Sequence, residues 1–176
     1  EEKYSFSKDN REIYRARYQF NKDDIIMGYV ARFDYGKNHI FLLEILKQII
    51  ADGEIKYKLL LVGDGPCSNI IKKFVNSNNL AEFVCMPGKI SNSEIKNYLS
   101  MCDIYLFPSS NEGLGISLIE AQCNKLKCVV AQEISDEAQI SSGYEKIKIK
   151  TDEGDYNLSE WKKAVYRSDF QRQIFK

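Results

Sequence analysis

The sequence predicts an α/β fold: a Rossmann-like, doubly wound, mainly parallel sheet of about six strands with helices on both faces. Two observations predict it. Short apolar runs of strand length alternate with longer segments of helical period, the pattern of stacked βαβ units. Between them stand Gly, Pro, Asp, Asn and Ser, which mark strand ends and helix starts. A chain of 176 residues with 44% apolar content can bury one substantial core, so a single domain is expected.

The elements follow in order. Strands are predicted over 25–30, 58–62, 82–86, 103–107 and 127–131, with a sixth over 145–149. A helix over 38–51 carries Ile40, Leu43, Ile45, Leu46, Ile49 and Ile50 on one broad apolar face and stops at Asp52-Gly53. The next, over 66–76, opens with Pro66 at a first-turn position, and Ser91 to Glu94 offers a cap before a helix over 95–101. Further helices are predicted over 115–124 and from about Leu158, where Trp161 and Val165 supply the apolar side. Residues 1–24 read as a linker or surface helix leading into a domain over 25–176. Arg11, Arg15 and Arg17 alternate there with Tyr14, Tyr18 and Phe20. A basic-aromatic nucleic-acid patch is the alternative, but acids interrupt it and nothing continues it downstream.

Composition narrows the function classes. Lys plus Arg and Asp plus Glu number 25 each, so no overall field draws the chain to nucleic acid or an anionic membrane. Any anion must be held by a local site. Five cysteines (Cys67, Cys85, Cys102, Cys123 and Cys128) form no Cys-x-x-Cys pair and sit in or beside apolar runs. They read as buried free thiols, which suits a reducing, cytoplasmic setting. The apolar runs are too short to span a membrane, and the charged start lacks the features of a signal peptide. The first residue is not Met, which suggests a fragment and makes a missing partner domain an expectation.

In a doubly wound sheet, ligands bind outside the carboxyl ends of the strands, so the residues after each strand carry the functional signal. After the first come Arg32 and Lys37 around Gly36. A guanidinium fork and a compact ammonium there could hold a phosphate, or could be two solvated loop cations. The spacing is neither a P-loop nor a dinucleotide fingerprint. After the second, Gly63-Asp64-Gly65-Pro66 is a turn short of Cβ atoms, suited to close backbone approach or simply to a tight connection. After the third, Gly88, Lys89 and Ile90 could border a flat base. After the fourth, Pro108 to Ile116 contains Glu112, Gly113, Leu114 and Gly115 and leads into a helix bearing Glu120. Exposed amides at that helix start favour an anion such as a diphosphate. Glu112 would repel phosphate and suits sugar hydroxyls beyond it. Glu120, amid Leu118, Ile119 and Ala121, needs a partner such as a ribose diol.

Glu112, seven residues, then Glu120, within Pro-Ser-Ser-Asn-Glu-Gly-Leu-Gly-Ile-Ser-Leu-Ile-Glu-Ala, resembles the signature of glycosyltransferase family four. Gly28 to Phe33 with Lys37-Asn38, Leu61 to Pro66, and Pro87 to Ile90 stand in that family's order and spacing. The resemblance covers roughly 25–133, and the stretch from Arg32 to His39 is most similar to bacterial enzymes of capsular or exopolysaccharide assembly. It implies the C-terminal, donor-binding domain of a retaining GT-B glycosyltransferase, acting on a UDP- or GDP-sugar without a catalytic metal. It further implies that Arg32 and Lys37 neutralise the leaving diphosphate, Glu112 holds the donor sugar, and Glu120 binds the ribose. Gly63, Gly88, Lys89, Ile90, Leu114, Gly115 and Ile116 complete the implied donor site. Whether Glu112 is nucleophile or only orients the sugar stays open.

The partners so implied are the nucleotide sugar, an absent N-terminal acceptor domain, and a glycan or lipid-linked acceptor, with no nucleic acid. The enzyme would be cytoplasmic, at most peripheral at the inner face of the membrane, and this domain alone would transfer little or nothing. A GT-B nucleotide-sugar epimerase and a non-catalytic Rossmann-like interaction module are the other readings. Asn124 departs from the family by standing where a glycine is common, and its tolerance of left-handed backbone is expected to preserve the turn. His39, the sole histidine, reads as structural or capping.

Overall fold

The structure, a computed structural model, describes residues 4–110, 112 and 114–168. Asn111 and Gly113 of the Glu112 segment, and residues 169–176, lie outside the described residues. Six strands form one sheet: β1 (Ile25–Val30), β2 (Tyr57–Val62), β3 (Val84–Gly88), β4 (Ile104–Phe107), β5 (Lys127–Ala131) and β6 (Tyr144–Ile147). The order is β3-β2-β1-β4-β5-β6 and every pairing is parallel. Helices α1 (Lys8–Arg17), α2 (His39–Ala51), α3 (Ser68–Ser77), α4 (Ile95–Met101), α5 (Ile116–Cys123) and α6 (Leu158–Tyr166) cover it. α2 packs on α3 and α6, and α1 packs on α4. Because chain order runs one way from β1 to β3 and the other from β4 to β6, right-handed crossovers put α2 and α3 on the face opposite α5.

The central strands are buried on both faces, so their sequences are continuous apolar runs: Ile26, Met27 and Tyr29 of β1 and Leu59 to Val62 of β2 are at most 1% exposed. On the far side of the core the ring of Trp161 meets Phe41 edge-on at 5.2 Å, and its indole N–H donates to the Lys148 carbonyl at 3.1 Å. That contact ties the chain end to α2.

Four local expectations are corrected. β3 runs two residues later than predicted because it pairs with β2 through Leu59↔Val84 and Val62↔Gly88. Pro87 is tolerated because β3 is an edge strand. α3 begins at Ser68, so Pro66 lies in the preceding turn, where the Ser68 amide donates to the Gly65 carbonyl at 3.0 Å. The Ser91 hydroxyl bonds the Glu94 carboxylate at 3.0 Å and does not cap α4, whose N-cap is Glu94. Asn124 has φ −78°, and the left-handed residue of that turn is Lys125, at φ 61°. Asn124 is buried instead, and its amide donates to the carbonyl of Tyr4 at 2.8 Å and to the Ser100 hydroxyl at 3.3 Å. Burial and these partners fix its conformation, and the strained angle passes to a solvated neighbour.

α1 is held down by its arginines. Arg11 pairs with Asp103 and donates to the carbonyls of Met101 and Cys102 at 3.0 and 2.9 Å, meeting the orphan acceptors at the end of α4. Arg15, 7% exposed, reaches the same carboxylate at 3.2 Å and the Asp24 carbonyl at 2.6 Å. The Tyr18 hydroxyl meets that of Tyr98 at 2.6 Å.

Candidate functional site

β1 and β4 are neighbours from which the chain departs in opposite directions, so the loops after them border the crevice of a doubly wound sheet. After β1, Asp34 accepts from the Tyr35 amide at 2.7 Å and starts a 3₁₀ turn over Tyr35–Lys37. Asn38 follows in the left-handed region, at φ 53°, and redirects the chain into α2. Its side-chain amide donates to the Pro108 carbonyl at 2.8 Å. The Gly36 carbonyl accepts from the Ser110 amide at 3.2 Å and from the Ser109 and Ser110 hydroxyls at 3.4 Å. The two loops are thus joined by one backbone bond and by side chains that donate to backbone carbonyls.

Across this joint Lys37 Nζ donates to Glu112 Oε1, with the side chains 21% and 24% exposed. Arg32, one turn earlier in the β1 loop, lines an adjoining cleft of about 410 Å³ with Gly63, Asp64, Lys89, Ile90 and Asn92. Its apolar floor includes Val30, Val62 and Ile95. Gly63 is obligatory there: its φ is 143°, and a Cβ would lie 1.9 Å from the Ala31 carbonyl oxygen. Its amide donates to the Gly88 carbonyl at 3.0 Å, which keeps the β2 and β3 ends together.

Gly115, at φ 61°, is the N-cap of α5, and a Cβ on it would come within 3.1 Å of the Phe107 ring. Leu114 and Ile116 on either side are 55% and 72% exposed. Glu120 is buried within α5. Of the predicted site residues, Arg32, Gly63, Lys89 and Ile90 therefore share the cleft, while Lys37 and Glu112 meet beside it. Leu114, Gly115, Ile116 and Glu120 belong to α5 and its entry, and Gly88 closes β3. Asn38, Asn92 and Asp64 had no role assigned from sequence. The left-handed preference of Asn after Gly-Lys was the one local signal for Asn38.

His39 is the first residue of α2, not its cap, and lies between the Tyr29 and Phe33 rings at 5.1 and 4.6 Å. Burial, helped by the Lys37 charge, pushes its pKa down to about 4, so the ring is neutral. Cys67, Cys102 and Cys128 are buried, Cys85 and Cys123 partly so, and none of the five is in a disulfide. Burial raises the Cys85 thiol to about 11, leaving little thiolate. Among the described residues no cluster of His, Cys, Asp or Glu is placed to hold a metal ion, and no helix is long and apolar enough to cross a membrane.

Solved structures share this architecture. HepE of Anabaena, in complex with UDP-glucose, superposes with a TM-score of 0.78 at 16% identity, over 94% of this chain and 44% of that one. The C-terminal domain of the glycosyl transferase group 1 protein LpcC of Francisella tularensis gives 0.75 at 13% identity, over 94% of this chain and 84% of that one. The fold is therefore that of the C-terminal domain of GT-B glycosyltransferases.

In sequence, the chain is 34% identical over 121 residues to EpsF of Bacillus subtilis (strain 168), a glycosyltransferase by name, covering 69% of this chain and 31% of that protein. It is 28% identical over 133 residues to the capsular polysaccharide biosynthesis glycosyltransferase CapH of Staphylococcus aureus, covering 74% and 36%. The chain thus spans about a third of the length of these relatives. The profile of the family described as "Glycosyl transferases group 1" matches residues 10–152, a span containing the cleft, the Lys37–Glu112 joint and Glu120, and the chain belongs to that family.

Proposed function

We propose that this chain is the donor-binding half of a retaining glycosyltransferase that moves a sugar from a nucleotide-diphosphate sugar to a glycan or lipid-linked acceptor in surface polysaccharide synthesis. The observation that carries it is the placement of Arg32 and Lys37 in one loop at the strand ends, beside a cleft of nucleotide-compatible size. CapH, named for capsular polysaccharide biosynthesis, supports the pathway class, and HepE, which holds UDP-glucose, supports a nucleotide-sugar donor, a UDP- or GDP-sugar in this reading.

In this reading the base lies in the cleft near Lys89 and Ile90, and Glu120 takes the ribose. The diphosphate lies between Arg32, Lys37 and the amides at the start of α5. As the glycosidic bond breaks, negative charge grows on the β-phosphate, and fixed cations and helix amides stabilise it without reorganising. Arg32 binds two phosphate oxygens through a planar fork, and Lys37 acts as a point charge. Glu112 orients the donor sugar. The acceptor comes from a further domain of the same enzyme, working in the cytoplasm, where free thiols stay reduced.

A thermal-shift panel of UDP, GDP, UDP-glucose and other nucleotide sugars tests the reading. Saturation at 100 times Kd adds about 2.7 kcal/mol, a shift of several degrees for a domain of this size. The shift should disappear in Arg32→Ala and in Glu120→Ala, each checked for folding by circular dichroism. Absence of any nucleotide shift, or one indifferent to both substitutions, would count against it.

A further inference from the structure

Lys37 and Glu112 stand in the two loops that follow β1 and β4, and they are bound to each other. Three features make this contact more than a surface ion pair. It joins loops 75 residues apart in sequence, at the place where the anion is to be received. It is redundant for holding those loops, because Asn38 bonds the Pro108 carbonyl and the Ser110 amide bonds the Gly36 carbonyl independently of it. Both side chains are partly open to solvent, so the pair can exchange partners without unfolding anything.

From this we infer that Glu112 is an internal competitor for Lys37: it holds the ammonium and must release it before a nucleoside diphosphate is gripped. The inference rests on the proposed donor site and adds a step to it. Release of Glu112 from Lys37 frees the carboxylate to accept hydroxyl groups of the donor sugar. A nucleotide that carries a sugar regains a partner for the displaced carboxylate, whereas the bare nucleotide leaves it without one. The pair thereby favours the intact donor over the spent nucleoside diphosphate, which shares every phosphate contact but lacks the sugar. Product release becomes easier for the same reason, since Glu112 recaptures Lys37 as the diphosphate leaves.

The test is calorimetric titration of UDP, GDP and UDP-glucose into the 176-residue chain as wild type, Glu112→Gln, Lys37→Met and the double variant. Freeing Lys37 from a partly exposed pair should tighten binding of the bare nucleotide about two- to five-fold in Glu112→Gln. Affinity for UDP-glucose should stay level or fall. The gain for the bare nucleotide should shrink at least two-fold when Lys37 is already Met. That dependence separates competition for the ammonium from simple repulsion between carboxylate and phosphate, which would persist in the Lys37→Met background. An equal gain in both backgrounds, or no gain, overturns the inference while leaving the donor site standing. Failure of the wild type and of Glu112→Gln to bind any of the three ligands overturns both.

Discussion

Each end of the sheet carries an acid bound to a cation distant in sequence, Asp103 at one end and Glu112 at the other, and the two pairings serve in opposite ways. At the amino end Arg11 and Arg15 converge on Asp103, and further guanidinium N–H groups donate to carbonyls of the α4 end and the Asn21 to Asp24 turn. The second carboxylate oxygen of Asp103 accepts the Ile26 amide at 2.7 Å, standing in for a sheet bond at the start of β1. At the carboxyl end Lys37 meets Glu112 across a joint already secured by the Asn38 side-chain amide and the Ser110 backbone amide, and Arg32 lines an open cleft. A cluster in which each cation also holds several carbonyls is a structural fastener. A redundant pair beside a cleft is free to do something else.

Substitutions at the two ends should therefore differ in kind. The largest effect is expected for Asp103→Ala, which leaves two guanidinium groups and an amide without their shared acceptor and should cost about 3–5 kcal/mol in urea unfolding. A cost below 1 kcal/mol would erase the contrast.

Next is His39, packed under the carboxyl-end loop. Its pKa is about 4 in the fold against about 6.5 in the unfolded chain, so stability present above pH 6.5 is lost as pH falls through that window. The loss attributable to it is about 3 kcal/mol by pH 4. His39→Phe should remove that part of the acid sensitivity, seen as a smaller drop in urea midpoint between pH 7 and 4.5.

The smallest effect is expected for Lys37→Met or Glu112→Ala, at less than about 1 kcal/mol of stability, because the loops stay joined. A loss comparable to Asp103→Ala would mean that the carboxyl-end pair is also a fastener.

Much of the architecture was legible in the sequence. β1 and β5 have the predicted bounds, because both are continuous apolar runs between clear turn residues. The edges were harder. At β3 the run ends at Pro87, and only the presence of an open edge on one side tells whether proline stops a strand. The Asn124 turn illustrates the same limit: local preference favours Asn in the left-handed region, yet its contacts with Tyr4 and Ser100 hold it elsewhere.

The site divides along the same line. Its residue types, their order and their position after strands were readable, since a parallel sheet sends successive strand ends to one side. By itself, then, the sequence determined the α/β class, the order of the elements and the family. Tertiary structure alone decided that Arg11 and Arg15 belong to Asp103, that Lys37 belongs to Glu112, and that Arg32 faces a cleft. Those pairings join residues some 75 to 92 positions apart, and a charge carries no local mark of the partner that folding will bring to it.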